Sequence, residues 1–142
     1  MNNLLRTSMM TGAITLLITS QSYISSRDVK SAPFNTAFEI KLDEEVFLPK
    51  SKKELSVSLL NVTDNRCPEN VRCITGGKAV AQIKLTNKHG SEAITKLALE
   101  QSPGSSDTID VTLDDKHYTV ILNEVNRLFA NKVKLVVSKT SI

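Results

Sequence analysis

The 142 residues carry 18 Lys and Arg against 15 Asp and Glu, a formal net charge of +3, with 40% apolar and only 4% aromatic side chains. That length suits one domain with a single two-layer core, and with no Trp and only two Tyr the core has to be aliphatic. Basic residues are scattered singly apart from Lys50, Lys52 and Lys53, which argues against nucleic acid as a partner, since that chemistry clusters Lys and Arg on one face.

Residues 1–8 are short and polar, with Arg6 as their only charge. Residues 9–18 are mainly apolar, and Ser20 and Ser22 then place small side chains two apart. This is the order of a secretory signal, so 1–22 is predicted to be a signal-peptide helix cleaved near Ser20 or Ser22. The apolar run is too short for the roughly 20 residues of a spanning helix. No Cys lies near the cleavage site to be acylated. No stable membrane anchor is therefore expected after cleavage. Residues 23–35 are Ser-rich and aperiodic and read as a flexible leader.

From residue 36 to 142 a single β domain is predicted. Phe38, Ile40 and Leu42 alternate with charged residues; Leu55, Val57 and Leu59 alternate with Ser. Ala79, Ala81, Ile83 and Leu85 continue the pattern, followed less regularly by Ile94, Leu97 and Leu99. Ile109, Val111 and Leu113, then Tyr118, Val120 and Leu122, then Val133, Leu135 and Val137 complete it. Period two is the mark of a half-buried strand, because successive side chains point to opposite faces. Turn residues at 88–91 and 114–116 separate the runs as hairpins do, and 102–106 is a longer connection. Two segments also fit helical spacing: 92–101 is read as strand, and 123–131 as a loop or single helical turn. The expected fold is all-β, an antiparallel β-sandwich or partly open barrel of about seven or eight short strands.

The most distinctive stretch is 61–79, NVTDNRCPENVRCITGGKA. Cys67 and Cys73 are the only thiols, in a chain expected to reach an oxidising compartment, so an intramolecular disulfide is predicted. A metal site would have to draw on Cys67, Cys73, His89 and His117, whose spacing is not that of a ligand set. The pair is not Cys-x-x-Cys, which removes a redox-catalytic role.

This stretch resembles a largely uncharacterised family of small bacterial secreted proteins and lipoproteins, whose pattern is D-S-R-C-P, a few residues, then V-x-C-[VI]-W-A-G between two strands. Asp64, Arg66, Cys67, Pro68, Val71, Cys73, Ile74 and Gly77 match it. Asn65 replaces the family's Ser, and Thr75–Gly76 replaces its Trp–Ala. Tyr118, Val120 and Leu122 are similar to the family's Y-x-V-x-L strand. The resemblance implies export, an all-β fold and the disulfide, and implies no activity.

Asp64, Arg66, Arg72 and Lys78 are the candidate binding-loop residues. The competing role for Asp64 is to accept loop N–H groups, and for Arg66 to brace a nearby carboxylate or carbonyl. Gly76–Gly77–Lys78 lacks the spacing of a phosphate-binding loop and is followed by a strand, so a turn or bulge is expected. His89 and His117 are read as solvated, with no nucleophile paired to either. Asp107, Asp110, Asp114 and Asp115 lack the spacing of a calcium loop. No catalytic residue, metal or cofactor is assigned. The expectation is a monomeric, exported, non-enzymatic protein, periplasmic or extracellular, that binds an unknown protein or envelope ligand. The alternatives are a secreted hydrolase (protease) inhibitor and a metal-dependent or hydrolytic enzyme.

Overall fold

The computed structural model describes residues 29–128 and 131–140; the expected signal peptide, 1–22, lies outside them. Nine strands occur among the described residues: β1 Lys30–Ser31, β2 Phe38–Lys41, β3 Glu45–Leu48, β4 Leu55–Asp64, β5 Lys78–Asn87, β6 Glu92–Glu100, β7 Asp107–Leu113, β8 Lys116–Val125 and β9 Lys132–Thr140. They form a five-stranded sheet in the order β1-β3-β4-β5-β6 and a four-stranded sheet in the order β2-β9-β8-β7. Every pairing is antiparallel except β1 with β3. The two sheets do not close on each other, so the protein is an all-β sandwich and not a barrel.

The alternation read in the sequence is what buries one face of each sheet. Val46, Leu48, Leu55, Val57, Leu59, Ala79, Ala81, Ile83, Leu85 and Leu97 of the first sheet are fully excluded from solvent. They meet Ile40, Val120, Leu122, Leu135 and Val137 of the second in one cluster. Each buried Val, Leu or Ile contributes about 1.5–3 kcal/mol by leaving water, and this aliphatic layer is the main source of the fold's stability. Tyr118 adds an aromatic contact at the margin, its ring 6.2 Å from that of Phe34.

Two bulges decide what happens at one end of the sandwich. The β4–β5 register slips between Leu59 and Asn61, and the β8–β9 register slips between Leu122 and Glu124. An extra residue flips the faces of everything beyond it. Past the first bulge Leu60 and Asn61 are exposed while Val62 and Asp64 become half-buried; past the second, Val125 returns to the core. The Leu59 carbonyl at the first bulge is engaged by the Asp43 N–H at 3.0 Å.

Three expectations change. The leader expected at 23–35 is docked over its described part: β1 pairs with β3, Ala32 is buried, and the Asn35 N–H bonds the Val137 carbonyl at 2.9 Å. The ordered β structure therefore begins before residue 36: β1 precedes the eight strands that fall within 36–142, where about seven or eight were expected. The 92–101 segment is strand β6 through Glu100, whereas 123–131, expected as loop or helical turn, is strand through Val125. Both hairpin turns lie where turn residues placed them, with Gly90 at φ 89° and Asp114 at φ 53°.

Sheet edges carry their own protection against further strand pairing. On β6 the Ala98 N–H donates to Asp107 Oδ2 at 2.7 Å, and on β2 the Glu39 carbonyl accepts from Lys30 Nζ.

Candidate functional site: the disulfide-bearing end

Asp64 closes β4 on the inward side because of the bulge at Leu60, and this aims its carboxylate at the opposite sheet. Arg66, two residues on, returns to it with Nε at 2.8 Å from Oδ1 and Nη2 at 2.6 Å from Oδ2. The Arg66 backbone N–H also donates to Oδ1, at 3.1 Å, a local Asx turn. Arg66 Nη2 donates further to the Val125 carbonyl at 2.9 Å. One guanidinium thus ties the end of β4 to the end of β8 across the sandwich. The pair is nearly enclosed, with side chains 9% and 13% exposed for Arg66 and Asp64. The Arg66 hydrogen bonds hold the Asp64 carboxyl below the usual carboxylate range against the opposing effect of burial, and Asp64 raises Arg66 in return.

Beyond Arg66 the loop is clamped from both sides. The Cys67 N–H donates to Gln101 Oε1 at 2.9 Å, and Gln101 Nε2 donates back to the Cys67 carbonyl at 3.3 Å. Arg127 Nη1 reaches the same carbonyl at 3.4 Å. Cys67 and Cys73 form the expected disulfide, S–S 2.03 Å, with Cα atoms 6.0 Å apart. On the return to β5, the Asn65 N–H bonds the Lys78 carbonyl at 3.1 Å. Here a Cβ on Gly77 would lie 1.6 Å from the Asn65 carbonyl oxygen. Glycine is required by this close backbone approach, not by a phosphate or a left-handed conformation.

The four candidate loop residues therefore divide. Asp64 and Arg66 are engaged with each other in a bidentate ion pair, and Arg66 also with the Val125 carbonyl. Arg72 and Lys78 stand in solvent, Arg72 between the turn at Pro68–Val71 and Cys73, Lys78 at the start of β5. Gln101 and Arg127 belong to this end as well, and sequence reasoning missed both. They lie 34 and 60 residues from Cys67, a separation that leaves no local pattern.

A cleft of about 660 Å³ lies between the cysteine loop and the β8–β9 connection, with Asp64 and Arg66 at its floor and Pro68, Glu69, Arg127 and Leu128 around it. A smaller one of about 240 Å³ lies between Gln101–Ser105 and the end of β8. Past them Val71, Ile74 and Leu128 project into water.

The remaining chemistry-bearing residues sit elsewhere. His89 follows the end of β5 and His117 is at the start of β8, the end of the sandwich opposite the cysteines. Ten-residue β5 alone separates the ends by roughly 30 Å, so Cys67, Cys73, His89 and His117 do not form a ligand set. His117 Nδ1 is 2.9 Å from Thr112 Oγ1. Asp107 is bonded to the Ala98 and Thr108 N–H groups, Asp110 to Thr119 Oγ1 at 2.6 Å, and Asp114 to Asn87 and Ser91. Hydrogen bonds from Ser91 and Asn87 lower the Asp114 carboxyl. Among the described residues no group of three His, Cys, Asp or Glu side chains is placed to hold a metal ion, and no helix is long and apolar enough to cross a membrane.

Fold and site together define a disulfide-capped β-sandwich. No protein-family model, curated protein or solved structure matches the chain.

Proposed function

We propose that this chain is an exported, non-enzymatic accessory protein of the cell envelope that docks through its disulfide-bearing end, and that it is related to the secreted family its cysteine loop resembles. The observation carrying this reading is a contrast at that end. Disulfide, Gln101 pair, Arg66 bridge and Gly77 contact all hold the backbone, while Val71, Arg72, Ile74 and Leu128 stand free in water. A loop already held in one shape loses little conformational entropy on binding. Export is supported by the disulfide, which persists in oxidising compartments, together with the secretory pattern of residues 1–22.

The test is association of the purified protein with isolated native envelopes, measured by co-sedimentation. Wild type binds, Ile74→Asp binds weakly, and Asp115→Ala at the opposite end binds as wild type. Equal binding by all three, or none by wild type, rejects the docking reading. Arg66 is unsuited to this test, because its loss disturbs the fold.

A second reading, inhibition of a secreted hydrolase, is favoured by Arg72, an exposed cation on a disulfide-fixed loop that suits an acidic specificity pocket. It predicts inhibition of an Arg-specific protease that Arg72→Ala abolishes; a flat response across a protease panel removes it.

A further inference from the structure

Val71 is 58% exposed, level with Ile94 of β6, while Ile74 and Leu128, at 104% and 85%, are the two most exposed large apolar side chains among the described residues. Val71, Ile74 and Leu128 belong to two loops that meet at Cys67, whose carbonyl takes Arg127 while Leu128 lines the same cleft. The disulfide and the Gln101 pair fix the loop that carries Val71 and Ile74, and the Leu128 N–H donates to Asn126 Oδ1 at 2.9 Å; all three side chains stand exposed. They lose apolar contact with water only by entering something else. Neither Arg72 nor Arg127 forms an ion pair with a carboxylate among the described residues, although Arg127 donates to the Cys67 carbonyl and its charge helps to lower the Asp64 carboxyl. Glu69 is the one acid in the cysteine loop itself. Exposed apolar side chains on loops that also carry Arg72 and Arg127 match a boundary of acyl chains beneath anionic head groups.

We infer that the disulfide-bearing end inserts into an anionic lipid surface, with Val71, Ile74 and Leu128 entering the head-group boundary and Arg72 and Arg127 meeting acidic head groups. This deepens the docking reading above and rests on it. Each arginine beside an anionic surface raises affinity about fivefold, so salt and lipid charge both control binding.

The experiment is vesicle co-sedimentation of the exported protein, with phosphatidylcholine vesicles alone or containing phosphatidylglycerol. Wild type binds the phosphatidylglycerol vesicles and not the neutral ones, and added salt releases it. Ile74→Asp with Leu128→Asp lowers binding by roughly tenfold or more, and Arg72→Gln with Arg127→Gln by about 25-fold, while both variants unfold at the wild-type temperature. Absence of wild-type binding, or equal binding by wild type and the double-aspartate variant, overturns the inference. If native envelopes bind the protein through Ile74 but lipid vesicles do not, the lipid inference fails and the docking reading stands with a protein partner. If neither binds, both fail.

Discussion

An alanine at position 77 has no room for its methyl group. The added Cβ falls 1.6 Å from the Asn65 carbonyl oxygen, 2.4 Å from its carbonyl carbon and 3.0 Å from the Arg66 nitrogen. All three are backbone atoms, so relief means moving one strand connection against the other by roughly 1.5 Å to regain ordinary contact. That movement breaks the Asn65 N–H bond to the Lys78 carbonyl and shifts Arg66 off its partners. Overpacking costs about 1–3 kcal/mol and the lost hydrogen bond about 1 kcal/mol more. Gly77→Ala is thus expected to destabilise by about 2–4 kcal/mol, lowering Tm by roughly 8–16 °C for a domain of this size. Gly76→Ala is the matched control. Its Cβ meets only the Gln101 side chain, at 3.4 Å, and the cost stays within about 1 kcal/mol. Urea and thermal unfolding of the two variants, followed by circular dichroism, measure the difference. Equal stabilities for the two variants would refute the close-approach argument.

Three further outcomes concern the ion pairs and the disulfide. Arg66→Ala leaves the Asp64 carboxylate enclosed without its partner and costs about 2–4 kcal/mol; in a double-mutant cycle with Asp64→Asn the two changes are strongly non-additive, and simple additivity would contradict the pairing. Acid sensitivity follows from carboxyls held below their ordinary values, Asp64 by Arg66 and Glu54 by Lys139. Their stabilisation is full above the unfolded carboxylate pKa near about 4 and is lost as pH falls toward the depressed folded values. Tm measured from neutral to acidic pH therefore drops on that limb, and Asp64→Asn flattens part of the drop; an unchanged slope counts against the assignment. Replacing Cys67 and Cys73 by Ser opens a seven-residue loop and costs about 2 kcal/mol on the chain-entropy model. The Gln101 clamp retains the fold, as near-wild-type far-UV circular dichroism checks.

How far the sequence reaches depends on whether a contact is local. Leu55, Val57 and Leu59, or Ala79 through Leu85, show their buried face by alternation, because one face of each strand meets the opposite sheet along its length. Ile94 breaks the pattern of β6 for a physical reason: it points outward and is exposed, while Leu97 and Leu99 carry the burial. β1 is two residues long and exists only by pairing with β3, and β3 shows just Val46 and Leu48. Neither gives a run long enough to read. The bulges at Leu60 and Asn123 reverse the alternation mid-strand, which hid the continuation of β8 to Val125. At the site, the cysteines and the charged character of Asp64 and Arg66 were legible. Their use was not, because Val125, Gln101 and Arg127 come from distant strands and loops.

Under the proposed function, one braced end holds the fold while its tip docks. Amide hydrogen exchange of the protein with and without native envelopes tests it most directly. Docking is expected to slow exchange at residues 70–75 and 127–128 and to leave the central residues of β5 and β8 unchanged. Slowing on a sheet face or at the His89 end, with the cysteine loop unaffected, would contradict it.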